Sequence, residues 1–133
     1  MTQRYMLDTN VVSHIMQGRD AALLTRLAQV PVSQVVISSV TLAELEYGLH
    51  RKGQPQRLRN AMTQVLLRMN VLPCDESVAR CYGALCSTLG AQGINLSDFD
   101  MMIAAHAVAV DATLVSRDKA FAQVPAPLRL EAW

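Results

Sequence analysis

At 133 residues, about half of them apolar and only 17% charged, the chain has the size and composition of one compact domain spanning 1–133, not of a disordered or low-complexity segment. A net charge of +1 gives no global basic field, so any nucleic-acid contact has to be local. The opening MTQRYMLDTN lacks the apolar core of a signal peptide, no run of 18 apolar residues occurs, and the three cysteines form no C-x-x-C pair, so a cytoplasmic protein without membrane association is expected.

Tyr5-Met6-Leu7 is a short apolar run that stops at Asp8-Thr9-Asn10, which predicts a first strand followed by a helix cap. Amphipathic helical stretches follow over about 11–29, broken near Gly18. The β-branched run Gln34 to Ser38 marks a second strand. Thr41-Leu42-Ala43-Glu44 has capping-box spacing and is expected to open a helix with Leu42, Leu45 and Leu49 on one side, ended by Gly53 and Pro55. Leu58, Met62, Val65, Leu66 and Met69 recur at helical spacing, and 70–74 is a candidate third strand. The next helix shows Val78, Cys81, Tyr82, Leu85 and Leu89 on one face, with Cys81 taken as core packing, and stops at Gly90 and Gly93. Ser97-Asp98-Phe99-Asp100 again has capping-box spacing, ahead of the apolar run Met101 to Val110, so Asp100 falls in the first turn of a mostly buried helix. Residues 113–116 and 128–130 complete the set as strands four and five. Short apolar strands alternating with helices imply βαβ units: a three-layer α/β/α sandwich around a central, mostly parallel sheet of four or five strands.

In such sheets the ligand crevice lies beyond the carboxyl ends of the strands, where the strand order reverses. Asp8 ends strand one, Glu44 lies shortly beyond strand two, Asp100 starts the helix that feeds strand four, and Asp118 lies just past strand four. Singly, each has a local explanation as a cap or a turn residue. Those explanations do not account for their convergence on one edge. Two carboxylates about 5 Å apart repel by roughly 3 kcal/mol at an effective dielectric near 20, so a cluster calls for protonation or for a cation. A hard divalent ion such as Mg²⁺, taking one or two carboxylates, water and a substrate phosphate, fits an oxygen-only set, and no Cys/His cluster with zinc spacing competes. The chemistry expected is phosphodiester hydrolysis, with Asp8 and Asp100 holding the ion most directly and Glu44 and Asp118 holding the waters around it. Asn10, Ser116 and Asp98 are candidates for support of the acids, each also a plausible cap or turn residue. His106 is expected as a hydrogen-bonded core histidine. No Ser-His-Asp or Cys-His arrangement and no glycine-rich phosphate loop is present.

LDTN at 7–10, SSVTLAELEYG at 38–48, DFDMMIAAHA at 98–107, ATLVSRDKAF at 112–121 and the closing LRLEAW together resemble the VapC toxins of bacterial VapBC toxin–antitoxin modules, which are PIN-domain ribonucleases. The resemblance runs over essentially the whole chain, with the blocks in the family's order. It implies a PIN-like fold, Asp8, Glu44 and Asp100 as the principal acids, and Asp118 as a fourth, more variable one. It further implies RNA cleavage with Mg²⁺ or Mn²⁺, commonly of transfer RNA in the anticodon region, a homodimer, and inhibition by a VapB-type antitoxin. In that setting the basic residues Arg51, Lys52, Arg57 and Arg59, with Arg117 and Lys119, become candidates for an RNA-facing surface. One departure is visible: Asp111 stands where such proteins often carry glycine, a place that favours a left-handed backbone. Two other readings stay open on the residues alone. An aspartyl-phosphate phosphatase of the haloacid dehalogenase type also has Asp after its first strand, but wants a second Asp where Asn10 stands; a binding module would need no intact acids.

Overall fold

The computed structural model describes residues 3–133. Its strands are β1 (Arg4–Leu7), β2 (Val35–Ser38), β3 (Asn70–Leu72), β4 (Ala112–Val115) and β5 (Arg129–Glu131), joined in the order β3-β2-β1-β4-β5. Every neighbouring pair is parallel, as the alternation of strands and helices predicts. Six α-helices cover the sheet: α1 (Thr9–Gln17), α2 (Ala21–Gln29), α3 (Ser39–Arg51), α4 (Gln56–Leu66), α5 (Glu76–Ala91) and α6 (Asp98–Ala109). None of the described helices is long and apolar enough to cross a membrane.

The central strands bury both faces, and successive side chains go to opposite layers. Leu7, Val35, Ile37 and Val115 pack in one core with Val11, Val12 and Ile15 of α1, Leu23 and Leu27 of α2, Leu45 and Leu49 of α3 and Met62 of α4. Met6, Val36 and Leu114 pack in the other with Leu89 of α5 and Ile103, Ala104 and Ala107 of α6. Helix α6 is the innermost, with Ile103 through Ala107 all buried, which is why it shows no polar stripe in the sequence.

The structure corrects the sequence reading at three places. Helix α3 begins before the expected Thr41: Ser38, the last residue of β2, is the cap and accepts from the Val40 N–H at 3.1 Å. Thr41 lies inside the helix, fully buried. Strand β3 ends at Leu72, two residues early, because Pro73 has no N–H to give to a ladder. Cys81 is half-buried and belongs to neither buried cluster, so it is not a core residue. Asp111 does take the left-handed conformation, at φ +57°, and its carboxylate and carbonyl accept from the Arg129 guanidinium at 2.8 and 2.9 Å. That bracing lets Asp stand where glycine would be unstrained.

Candidate active site

Strand β1 connects to β2 on one side, and the chain returns to β4 on the other, so the order reverses between β1 and β4. Their register aligns Leu7 with Val115, and the Asp8 N–H continues it by donating to the Val115 carbonyl at 3.1 Å. Asp8 and Ser116 are therefore the first residues beyond the carboxyl ends of the two central strands, at the switch point where ligands bind in such sheets.

Asp8 is only 4% exposed. One of its oxygens accepts from the Val11 N–H at 2.9 Å, capping α1, and the other accepts from the Ser116 hydroxyl at 2.5 Å. Burial pushes its pKa up, and the negative charges of Asp100 and Asp118 push the same way, against the two hydrogen bonds that lower it. Asp100 sits in the first turn of α6, where the backbone N–H donates to the Ser97 hydroxyl at 3.1 Å as the capping spacing predicts. Its carboxyl is also raised, by burial and by the charge of Asp118, with Ser97 opposing. Asp118 caps the 3₁₀ turn Lys119–Gln123, accepting from the Ala120 N–H at 2.9 Å, while its own N–H donates to the Ser116 hydroxyl oxygen at 3.0 Å. Ser116, one of the supporting residues the sequence offered, thus bridges the buried acid of β1 to the loop that carries the exposed one.

Glu44 joins by a different route. The Thr9 hydroxyl donates to its Oε1 at 2.6 Å, tethering it to the residue next to Asp8. The Thr41 hydroxyl stands 3.4 Å from that of Thr9. Thr9 was not singled out by sequence reasoning, which looked two residues past Asp8 to Asn10. Asn10 is exposed and makes no side-chain hydrogen bond among the described residues. The legible signal was a hydroxyl adjacent to Asp8 and a Glu at the third position after a second threonine. Asp98 shares the first turn of α6 with Asp100 but is exposed, and its charge acts on Tyr82.

Among the described residues no three His, Cys, Asp or Glu side chains are close enough to ligate one ion together. The donor set fits the other way of holding a hard cation, one or two carboxylates with water completing the shell. Asp8 and Asp100 suit it best, since burial and neighbouring negative charge raise both carboxyls, a cost that a bound cation would relieve. Replacing Ser116 by alanine is expected to lower activity 10- to 100-fold, as for other supports of metal-binding carboxylates. Because the lost hydrogen bond is one that lowers the Asp8 pKa, the acid limb of the pH–rate profile should move to higher pH, and an unmoved limb would show that Ser116 is merely structural.

The basic candidates divide. Arg59 is spent on a two-pronged pair with Glu46 at 2.6 and 2.9 Å and a bond to Gln54, and Arg117 on Asp20 and the Trp133 carbonyl. Arg51 lies over the Tyr47 ring. Lys52 and Arg57 line a cleft that opens at Thr9 and Glu44. Lys119 is exposed and unpaired among the described residues.

The sequence pattern of the PIN domain matches residues 5–127. The chain is 34% identical over 131 residues to Ribonuclease VapC2 of Haemophilus influenzae, covering 98% of each protein. It is 31% identical over 130 residues to the tRNA(fMet)-specific endonuclease VapC of Shigella flexneri, again covering 98% of each. Its fold superimposes with a TM-score of 0.91, at 28% identity and over 98% of this chain and 99% of the other, on a chain of the Rickettsia felis VapBC2 complex bound to a DNA fragment from its promoter. With the buried Asp8 at the switch point and these likenesses end to end, the chain belongs to the PIN domain family and, within it, to the VapC ribonucleases.

Proposed function

We propose that this protein is an endoribonuclease toxin that hydrolyses RNA phosphodiester bonds with Mg²⁺ or Mn²⁺ and is neutralised by a VapB-type antitoxin. The observation that carries the reading is the burial of Asp8 at the reversal of strand order, under the negative charges of Asp100 and Asp118. Asp8 and Asp100 would hold the ion, which when bound supplies a positive charge against the phosphate and lowers the pKa of water. The protein's own groups do the rest. Ser116 and Val11 fix both oxygens of Asp8, so the carboxylate does not reorganise when charge develops. Thr9 holds one oxygen of Glu44 and leaves the other free to orient a water and take its proton. Asp118 keeps one oxygen on the Ala120 N–H, and its negative charge acts on both Asp8 and Asp100.

Water as the nucleophile leaves the ribose 2′-hydroxyl unused, so the products should carry a 5′-phosphate and a 3′-hydroxyl. Sequencing RNA ends after brief expression of the wild type and of Asp100→Asn tests this: new 5′-phosphate ends are expected from the wild type alone. Identical ends from both, or a 2′,3′-cyclic phosphate from the purified protein, would reject the assignment. Since the Shigella flexneri relative is described as specific for tRNA(fMet), transfer RNA is the first substrate to try. A homodimer is the assembly we propose, in the cytoplasm.

A further inference from the structure

The cleft that begins at Thr9 and Glu44 has a volume of about 350 Å³ and runs between α1, α3 and α4. Its floor is apolar, from Met16, Leu45, Leu49 and Leu58, and its sides carry Arg19, Lys52 and Arg57. Among the described residues Glu44 is the only acid that lines it. These three cations differ from five of the nine other lysines and arginines. Arg26, Arg59, Arg80, Arg117 and Arg129 are each paired with a carboxylate, whereas the side chains of Arg19, Lys52 and Arg57 make no ion pair or hydrogen bond among the described residues. All three are exposed and come from separate segments: the α1–α2 turn, the end of α3 and the start of α4. Three positive charges stand against the single acid Glu44 at one place, and that place adjoins Asp8 through Thr9.

The wall of α3 has two further features. Gly48 lines the cleft, and a Cβ built there would meet no atom within 4 Å, so space remains open beside the helix. At about 100° per residue, Glu44, Tyr47, Gly48 and Arg51 fall on one side of α3. Tyr47 is 66% exposed, an unusual cost for an aromatic ring, and the Arg51 guanidinium lies 5.8 Å from its centroid. A flat ring backed by a guanidinium is a stacking platform for a base, and a row of unpaired cations is a track for phosphates.

Resting on the ribonuclease reading, we propose that the α1–α3–α4 cleft carries the single-stranded RNA flanking the cut bond, with its phosphates on Arg19, Lys52 and Arg57 and a base stacked on Tyr47. An apolar floor with a cationic rim would also suit an acidic amphipathic peptide. The exposed aromatic beside the rim and the cleft's continuity with the acids favour the nucleic acid.

The test uses full-length Asp8→Asn protein, which does not consume its ligand, and a fluorescent single-stranded RNA oligonucleotide titrated at several salt concentrations. Each of Arg19→Ala, Lys52→Ala and Arg57→Ala should reduce the slope of log affinity against log salt by about 0.7, and the triple variant by about 2. Arg80→Ala, on α5 and paired with Glu76, should leave the slope unchanged. Tyr47→Ala should weaken binding about five-fold or more at any salt, and Tyr47→Phe should not. Gly48→Leu should weaken binding by filling the groove, with helical circular dichroism intact. Slopes and affinities equal to the parent across these variants overturn the proposal. That failure is separate from failure of the enzyme reading: wild type that cleaves RNA while the cleft variants bind normally removes only the track. Charge-dependent binding by a wild type that never cleaves removes only the hydrolysis.

Discussion

Replacing Asp8 or Asp100 by asparagine is expected to reduce RNA cleavage by about 10³-fold or more and, in the absence of divalent metal, to make the protein more stable. The first effect follows from several kcal/mol of charge stabilisation that a held cation contributes to phosphoryl chemistry, at about 1.4 kcal/mol per decade of rate. The second follows from the direction in which the two carboxyls are shifted. Both are raised in the folded protein by burial and by neighbouring negative charge. A carboxyl raised on folding favours the native state below its ordinary pKa, and that contribution is lost as pH rises through the folded value, so at neutral pH each ionised acid opposes folding. Asparagine keeps the geometry: it caps α1 as well as aspartate does, and can still accept from Val11 while its amide donates to Ser116. Removing the charge should therefore add about 0.5–2 kcal/mol, the usual scale of exchange between stability and activity at a site. Mg²⁺ or Mn²⁺ should raise the wild-type Tm, by an amount equivalent to about 2.7 kcal/mol at one hundred times Kd, and should leave the Asp8→Asn protein nearly unmoved. Thermal melts of both proteins with and without metal decide it. A less stable, metal-responsive Asp8→Asn protein would mean that the carboxylates are ordinary caps.

What the sequence made legible here and what it hid have a common physical cause. Asp8, Asp100 and Asp118 were readable because strand ends and caps are local features, and the parallel-sheet rule converts local positions into one edge. The order β3-β2-β1-β4-β5 then sets Asp8 beside Ser116, whose hydroxyl donates to its carboxylate. Thr9 was hidden because its role depends on which way the first turn of α1 faces, and its bond to Glu44 spans 35 residues. The start of α3 was misplaced for a related reason: Thr41 has the right spacing for a cap, but Ser38 at the end of a buried strand already supplies one. The basic residues show the limit most clearly. As a cluster in sequence they look equivalent, yet Arg59 and Arg117 are neutralised by Glu46 and Asp20, and Arg19, not part of the cluster, stands with Lys52 and Arg57.

The site also depends on a buried polar contact behind it, where the second large effect is expected. His106 on α6 is fully buried, its Nδ1 lies 2.7 Å from the Ser38 hydroxyl oxygen, and the Cys74 sulfur stands 3.5 Å from the same nitrogen. This ties the helix that carries Asp100 to the cap of the helix that carries Glu44. Nε2 has no hydrogen-bond partner among the described residues. The least costly state is a neutral ring with its proton on Nδ1, donated to Ser38, because a bare acceptor is cheaper to bury than an unsatisfied N–H. Protonation would put an unpaired N–H on Nε2, and burial accordingly lowers the His106 pKa, with Asp75 opposing. The unfolded histidine binds a proton near pH 6.5 and the folded one does not, so the neutral ring contributes stability above about pH 6.5 that is lost as pH falls through the folded value. His106→Ala should cost about 2–4 kcal/mol, from the cavity and from the partner lost to Ser38, and reduce cleavage ten-fold or more as the two helices shift. His106→Asn, which can still donate to Ser38, should recover part of both. Neither variant should lose stability between pH 7 and 5 as the wild type does, and subtracting the curves cancels the opposite contributions of Asp8 and Asp100. Denaturant titrations across that range make the comparison, and a His106→Asn curve parallel to the wild type would place the acid sensitivity elsewhere.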